Sequence, residues 1–209
     1  MAAPSLPIPL DVALQTLSYV GTSVFAVSGA LAAARLGQTL VTFCFFALVT
    51  GVGGGTVRDL LIGAPVFWIH DHVTAAACLG AALLVWVTPH RFWSLRALDW
   101  LDAIGLAAFA VIGAAKAMTF GIHPFVAGLM GVITGCVGGI IRDLLAGEPS
   151  ILLRPELYVT AAAFAAMLHV TLVSIGMPVG VAGVLASFAG FALRAFAMLR
   201  GLHLPGYRP

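Results

Sequence analysis

The chain has 209 residues, 61% of them hydrophobic and 9% charged, with a mean hydropathy of +1.09. A soluble domain carries about 25% charged residues, so this chain lacks the charge to cover a water-facing surface, and its solvent is lipid. The formal net charge of +2 is too small and too scattered to suggest nucleic acid, and Cys44, Cys78 and Cys136 sit in apolar runs without paired spacing, which reads as packing and not as disulfide or metal chemistry.

A helix needs about 20 apolar residues to cross the hydrocarbon layer. Runs of that kind fall near Leu10 to Ala34, Thr39 to Ile62, Val73 to Thr88, Leu101 to Phe120, Pro124 to Ala146, Leu157 to Ile175 and Pro178 to Arg200, with Trp68 as an alternative, earlier start for the third and shortest. The first run has no basic segment before it and no small-residue cleavage site after it, so it reads as a permanent span. The runs are continuously apolar and not alternating, which argues against a β-barrel. The connections are short. The expectation is an all-α membrane protein, a single transmembrane domain over 1–209, with seven transmembrane helices.

Arg35, Arg91, Arg96, Arg142, Arg154, Arg194, Arg200 and Arg208 group with the connections after spans one, three, five and seven, while Arg58 and Lys116 fall to the other side. By the positive-inside rule the C-terminus is cytoplasmic and the N-terminus outside.

Sliding the sequence by 84 residues superimposes one half on the other without a gap. Between residues 17 and 65, 19 of 49 pairs are identical, among them Gly54-Gly55, Arg58-Asp59-Leu60-Leu61, Gly63 and Pro65 on Gly138-Gly139, Arg142-Asp143-Leu144-Leu145, Gly147 and Pro149. Each unit holds three helices (repeat 1 about 10–90, repeat 2 about 97–175, an extra helix at 178–200), so the second enters the membrane from the opposite side. This is an inverted 3+3 repeat, whose interface near the bilayer midplane is where transport proteins place their site. Ala182, Ala186 and Gly190 give the unpaired seventh helix a small-residue ridge for helix packing,.

The candidate functional residues follow from that interface. Gly51, Gly54 and Gly55 in the second run fall on Gly135, Gly138 and Gly139 in the fifth, and Gly53 adds a further glycine to the first cluster. Each glycine weakens a helix by up to about 1 kcal/mol relative to alanine, so a kink or local unwinding is expected at both clusters, with free carbonyls to face a cation or free amides to face a carboxylate. Arg58-Asp59 and Arg142-Asp143 follow the clusters, one pair toward each face, either tying helices together or guarding the mouths of a pathway. Lys116 replaces Ala32 of the first repeat, and an intramembrane lysine is a functional candidate by default. Asp99 and Asp102 read as helix-start and interface residues. His70 and His72 are too few for a metal site. The segment from Gly54 to Gly63 looks like a nucleotidyltransferase head motif, but it lacks the soluble sheet and metal-binding aspartates which that chemistry needs. No Ser-His-Asp set or paired-carboxylate site converges, so enzymatic chemistry has no evident home, and no cofactor or metal is expected.

Together, the seven spans, the three-plus-three repeat, the doubled Gly-Gly-x-x-Arg-Asp motif, the expected glycine-broken second and fifth helices and the fourth-helix lysine resemble the prokaryotic branch of the trimeric intracellular cation channel (TRIC) family. The resemblance implies a homotrimer in a bacterial or archaeal inner membrane, with one pore per subunit, conducting monovalent cations (K+ above all, also Na+), in contact with membrane lipids and with bound lipid possible. It maps the family's gating lysine onto Lys116. Animal members carry a Lys-Glu-Val motif where this chain has Gly53-Gly54-Gly55. Some bacterial relatives are associated with glycine uptake, which leaves a secondary transporter for glycine or a similar zwitterion as the alternative.

Overall fold

The structure is a computed structural model that describes residues 12–94 and 96–205, for His90 the backbone only. The expected start of the first span at Leu10, and Arg208, lie outside the described residues. Seven α-helices follow one another: α1 (Val12–Arg35), α2 (Leu40–Leu61), α3 (His72–Val87), α4 (Ala97–Thr119), α5 (Pro124–Ala146), α6 (Tyr158–Ser174) and α7 (Val179–Arg200). Short 3-10 turns precede α4 and α6, and no strand forms among the described residues beyond an isolated bridge between Glu156 and His203.

Five helices, of 22 to 24 residues, are long and apolar enough to span. The other two, α3 with 16 residues and α6 with 17, reach about 24–26 Å at 1.5 Å per residue, somewhat under the roughly 30 Å hydrocarbon thickness. They are the third helices of the two repeats, so the shortness is itself repeated. The third span does not extend back to Trp68: residues 66–70 form turns, and Asp71 caps α3 with its carboxylate on the Val73 N–H. The fourth starts earlier than its apolar run, at Ala97, which draws Asp99 and Asp102 into the helix.

Helix α4 is the axle of the bundle. From Gly105 to Ala115 every residue is buried, and α4 packs on α1, α5, α6 and α7. Its alanines and glycines allow that many neighbours. The two repeats meet through reciprocal contacts, the signature of a two-fold relation. Phe25 and Phe109, equivalent residues, stack with ring centroids 5.4 Å apart. A Cβ on Gly21 would lie 2.9 Å from the Phe109 ring, and one on Gly105 would lie 2.6 Å from the Phe25 ring. The predicted ridge on α7 packs within the subunit: Ala182, Ala186 and Gly190 are buried, and Gly190 sits against Ala165 of α6.

The sequence pointed to breaks in α2 and α5. The structure shows both as unbroken α-helix, Leu40–Leu61 and Pro124–Ala146, with every positive-φ glycine outside the helices. The glycines serve close approach instead. A Cβ on Gly54 would collide with the Thr134 carbonyl oxygen, and one on Gly138 would lie 2.7 Å from the Thr50 carbonyl oxygen. Thr50 and Thr134 are themselves repeat equivalents, so α2 and α5 cross backbone on backbone at the centre of the repeat. Propensity argued for unwinding, but a backbone in lipid keeps its hydrogen bonds unless protein or water replaces them. The gain from closer packing outweighs the weak propensity of glycine.

A methyl group at this crossing has nowhere to go. Gly54→Ala should lower stability by about 1–3 kcal/mol, the usual range for overpacking, seen as a lower Tm in detergent. Gly80→Ala is the control: nothing lies within 4 Å of a Cβ there, so its Tm should be unchanged or raised.

Candidate functional site: ion clusters at the two ends of α4

Each Arg-Asp pair closes the last turn of its helix in the same way. Asp59 accepts the Phe67 N–H on Oδ2 at 2.9 Å, and Asp143 accepts the Ile151 N–H on Oδ2 at 2.8 Å. The turns between them use Gly63 and Gly147, both at φ 68°, a left-handed conformation that glycine adopts without strain. The aspartates are therefore turn anchors, and they present Oδ1 to the arginine beside them. Arg58 Nε donates to Asp59 Oδ1 at 2.8 Å. Arg142 Nε and Nη2 donate to Asp143 Oδ1 at 2.9 and 2.8 Å.

Helix α4 then supplies a different partner to each pair. Lys116, near its C-terminal end, places Nζ 2.8 Å from Asp59 Oδ1. Asp102, near its other end, accepts from Arg142 Nη1 at 2.6 Å, and the same nitrogen donates to Ser28 Oγ at 3.2 Å. The two groups stand about 21 Å apart along the helix at 1.5 Å per residue. Arg58, Asp59, Asp102 and Arg142 are each 2% exposed or less. Charges at that depth persist only when paired, since an unpaired one costs about 2.5–3.5 kcal/mol on insertion scales.

Reading Asp102 as a helix-start residue is corrected by this geometry: it is a buried partner of Arg142. Ser28 carried no signal in the sequence. For Asp102 a signal existed, because a carboxylate inside the fourth helix stands where the first repeat has Ser18. Lys116, which the sequence left without a partner, is bound to Asp59 and lies beside the Phe67 ring, 6.0 Å from its centroid. The predicted glycines fall into three places. Gly54 and Gly138 form the waist described above, with Gly51, Gly53 and Gly135 buried nearby on the same two helices. Gly55 faces Phe67 at the Arg58 cluster, and Gly139 faces Asp102 and Tyr158 at the Arg142 cluster. On α7, Arg194 makes a further ion pair with Glu156 at 2.6 Å.

A recess opens at each cluster. One, of about 160 Å³, is lined by Gln15, Ser18, Tyr19, Arg58, Asp71 and Lys116 among others. The second, of about 130 Å³, is lined by Ala32, Asp99, Arg142, Asp143, Glu148 and Arg154 among others. The glycine waist lies between them. Asp71 stands at the rim of the first recess. Burial works against its charged form, but bonds from the Thr74 hydroxyl, the Val73 N–H and the Tyr19 hydroxyl outweigh this and hold its carboxyl below the usual carboxylate range.

An all-helical bundle with an inverted repeat, a buried waist and a charged recess at either end defines a membrane protein of the architecture used for transport. The family model described as "Glycine transporter" matches the chain twice, over residues 15–90 and 99–174, two windows offset by 84 residues. The chain is 41% identical over 199 residues to a UPF0126 membrane protein of Vibrio cholerae, covering 93% of this chain and 82% of that protein. It is 38% identical over 198 residues to the UPF0126 inner membrane protein YadS of Escherichia coli, covering 91% and 94%. Its fold matches the TRIC trimeric intracellular cation channel orthologue from Rhodobacter sphaeroides with a TM-score of 0.84 at 41% identity, over 92% of this chain and 100% of that one. A second solved TRIC cation channel matches with a TM-score of 0.82 at 29% identity, over 93% and 97%. These relatives are channels or membrane proteins. The chain belongs to the trimeric intracellular cation channel family, in its prokaryotic branch.

The Arg142 cluster is the more tightly knit of the two. Arg142→Leu leaves Asp102 and Asp143 facing each other without a cation, at a cost of about 3–5 kcal/mol for a broken buried pair. Adding Asp102→Leu should recover part of that loss. Thermal unfolding of the two variants in detergent checks both outcomes.

Proposed function

We propose that this protein is a cation channel of the bacterial inner membrane, with K+ the main permeant ion, assembled as a homotrimer with one pore in each subunit. The N-terminus lies outside and the C-terminus in the cytoplasm, which makes the Arg58 recess the outer mouth and the Arg142 recess the inner one. One observation carries this reading: a recess lies at each of the two Arg-Asp clusters, at opposite ends of the repeat interface, with the crossing of α2 and α5 and the Phe25–Phe109 stack in the packed interior of that interface. The likeness to the Rhodobacter sphaeroides channel supports it over nearly the whole chain, and the name of that relative supports the trimer.

The route runs between α1, α2, α4 and α5. At the waist the Thr50 and Thr134 carbonyl oxygens are the groups suited to replace water around a monovalent cation. Conduction requires α2 and α5 to separate there, so the glycine crossing is the gate. Gly51, Gly53, Gly54, Gly55, Gly135, Gly138 and Gly139 line or support it. At the mouths, Asp143 and Asp102 leave the inner cluster with a net negative charge that favours cations. Lys116 beside Arg58 leaves the outer one positive and opposes them. The Lys116–Asp59 pair therefore controls entry. No cofactor is needed. Lipid surrounds the trimer.

The family model described as a glycine transporter favours a second reading, in which the same route carries a small zwitterion by alternating exposure of the two recesses.

Purified protein in planar bilayers separates the two. The channel gives discrete current steps that reverse at the K+ equilibrium potential, whereas saturable glycine flux without steps belongs to the transporter. Lys116→Ala should raise open probability or alter its voltage dependence. Unchanged conductance and gating, in a variant that remains trimeric, would remove Lys116 from the mechanism.

A further inference from the structure

The two recesses are equivalents under the 84-residue repeat, yet beyond the shared aspartate the groups that bond Arg142 are not repeated around Arg58. At the Arg142 end, Nη1 is held by Asp102 and Ser28. Their equivalents at the other end are Ser18 and Ile112, and both line the Arg58 recess. Neither bonds the arginine, and Arg58 Nη1, on a side chain 2% exposed, has no hydrogen-bond partner among the described residues. The repeat also replaces Ala32 by Lys116, which adds a second cation. Two cations thus share one carboxylate, Asp59, whose Oδ2 is already engaged by the Phe67 N–H. At the Arg142 end one cation is shared by two carboxylates. Counting each arginine with the groups ion-paired around it, the sums are +1 and −1, while Asp71 at the rim of the Arg58 recess supplies a separate negative charge.

A buried guanidinium with an unmade bond beside an ammonium is an anion site by charge and by donor count. We propose that the Arg58 recess binds small carboxylates, the ligand's carboxylate resting on the Lys116 ammonium and the Ser18 hydroxyl with the buried Arg58 charge behind them, in the role that the Asp102 carboxylate performs at the other end.

The recess, at about 160 Å³, holds the equivalent of about five waters at roughly 30 Å³ each, which suits a ligand of four or five heavy atoms. Lys116 is 15% exposed against 2% for Arg58, so the ammonium is the first group an entering anion meets. Asp71 and Tyr19 on the same wall give the ammonium of an amino acid a counter-group, which a simple carboxylate would not use. The proposal takes the Arg58 cluster as one mouth of the route above, but its test reads binding and not current.

Isothermal titration of the full-length protein in nanodiscs with sodium acetate, glycine and sodium chloride decides it. Acetate and glycine should bind with saturable heats that chloride at matched concentration does not give. Tighter binding of glycine assigns Asp71 to the ammonium, and equal binding restricts the site to the carboxylate. The decisive variant is Ser18→Asp, which writes the Asp102 arrangement into the first repeat. It should raise Tm and weaken carboxylate binding at least about tenfold, about 1.4 kcal/mol. Lys116→Gln, which keeps the length of the side chain, should weaken binding by a similar factor with the trimer intact. Absence of carboxylate heats, equal heats from chloride, or undiminished binding in a folded Ser18→Asp protein overturns the proposal. Missing cation currents alongside intact binding would count against the channel reading alone.

Discussion

Two helices can touch backbone to backbone only where neither has a side chain in the way, and this protein depends on one such contact. Gly54 lies against the Thr134 carbonyl and Gly138 against the Thr50 carbonyl. Because the four residues are two pairs of repeat equivalents, the contact fixes the two-fold relation between the halves as well as their distance. Everything else in the interior follows from that spacing. Phe25 and Phe109 stack across α1 and α4, the glycines opposite them make room for the rings, and α4 is enclosed on nearly all sides. In lipid there is little hydrophobic force to draw helices together, so van der Waals packing of this kind carries much of the cohesion.

The charges obey a related constraint. Hydrocarbon forbids a lone ion, so each arginine is accompanied by the aspartate next to it in the chain, and that aspartate also anchors the turn after the helix. One carboxylate thereby does two jobs with two oxygens. The duplicated part of the arrangement, Arg58-Asp59 and Arg142-Asp143, ties each helix end to the turn after it. The part that is not duplicated, Lys116 at one end and Asp102 at the other, distinguishes the two faces of an otherwise symmetric core.

That division explains what the sequence could and could not disclose. The duplication was legible because Gly-Gly-x-x-Arg-Asp-Leu-Leu-x-Gly-x-Pro occurs twice at one offset, and the helices lie close to their apolar runs. The glycine clusters were legible as important but misread as breaks, because helix propensity describes an isolated helix and says nothing of the neighbour that a missing side chain admits. Lys116 was legible as a lone charge, whereas its bond to Asp59 was not, since nothing local brings the end of α4 to the end of α2. Asp102 was hidden by its place near the start of an apolar run, although its mismatch with Ser18 was open to view.

Helix α4 carries two acids, Asp99 and Asp102, toward its N-terminus and one base, Lys116, toward its C-terminus, the order a helix dipole prefers,. A transmembrane potential acts on a displaced charge with about 2.3 kcal/mol per 100 mV for each elementary charge carried across. Sliding α4 along the membrane normal as a rigid rod moves two negative charges and one positive charge together, so the lysine offsets only one of the acids. The work of one uncompensated negative charge remains, and even a rigid slide would have to break the clasp of Arg142 on Asp102 as well as the bond between the lysine and Asp59.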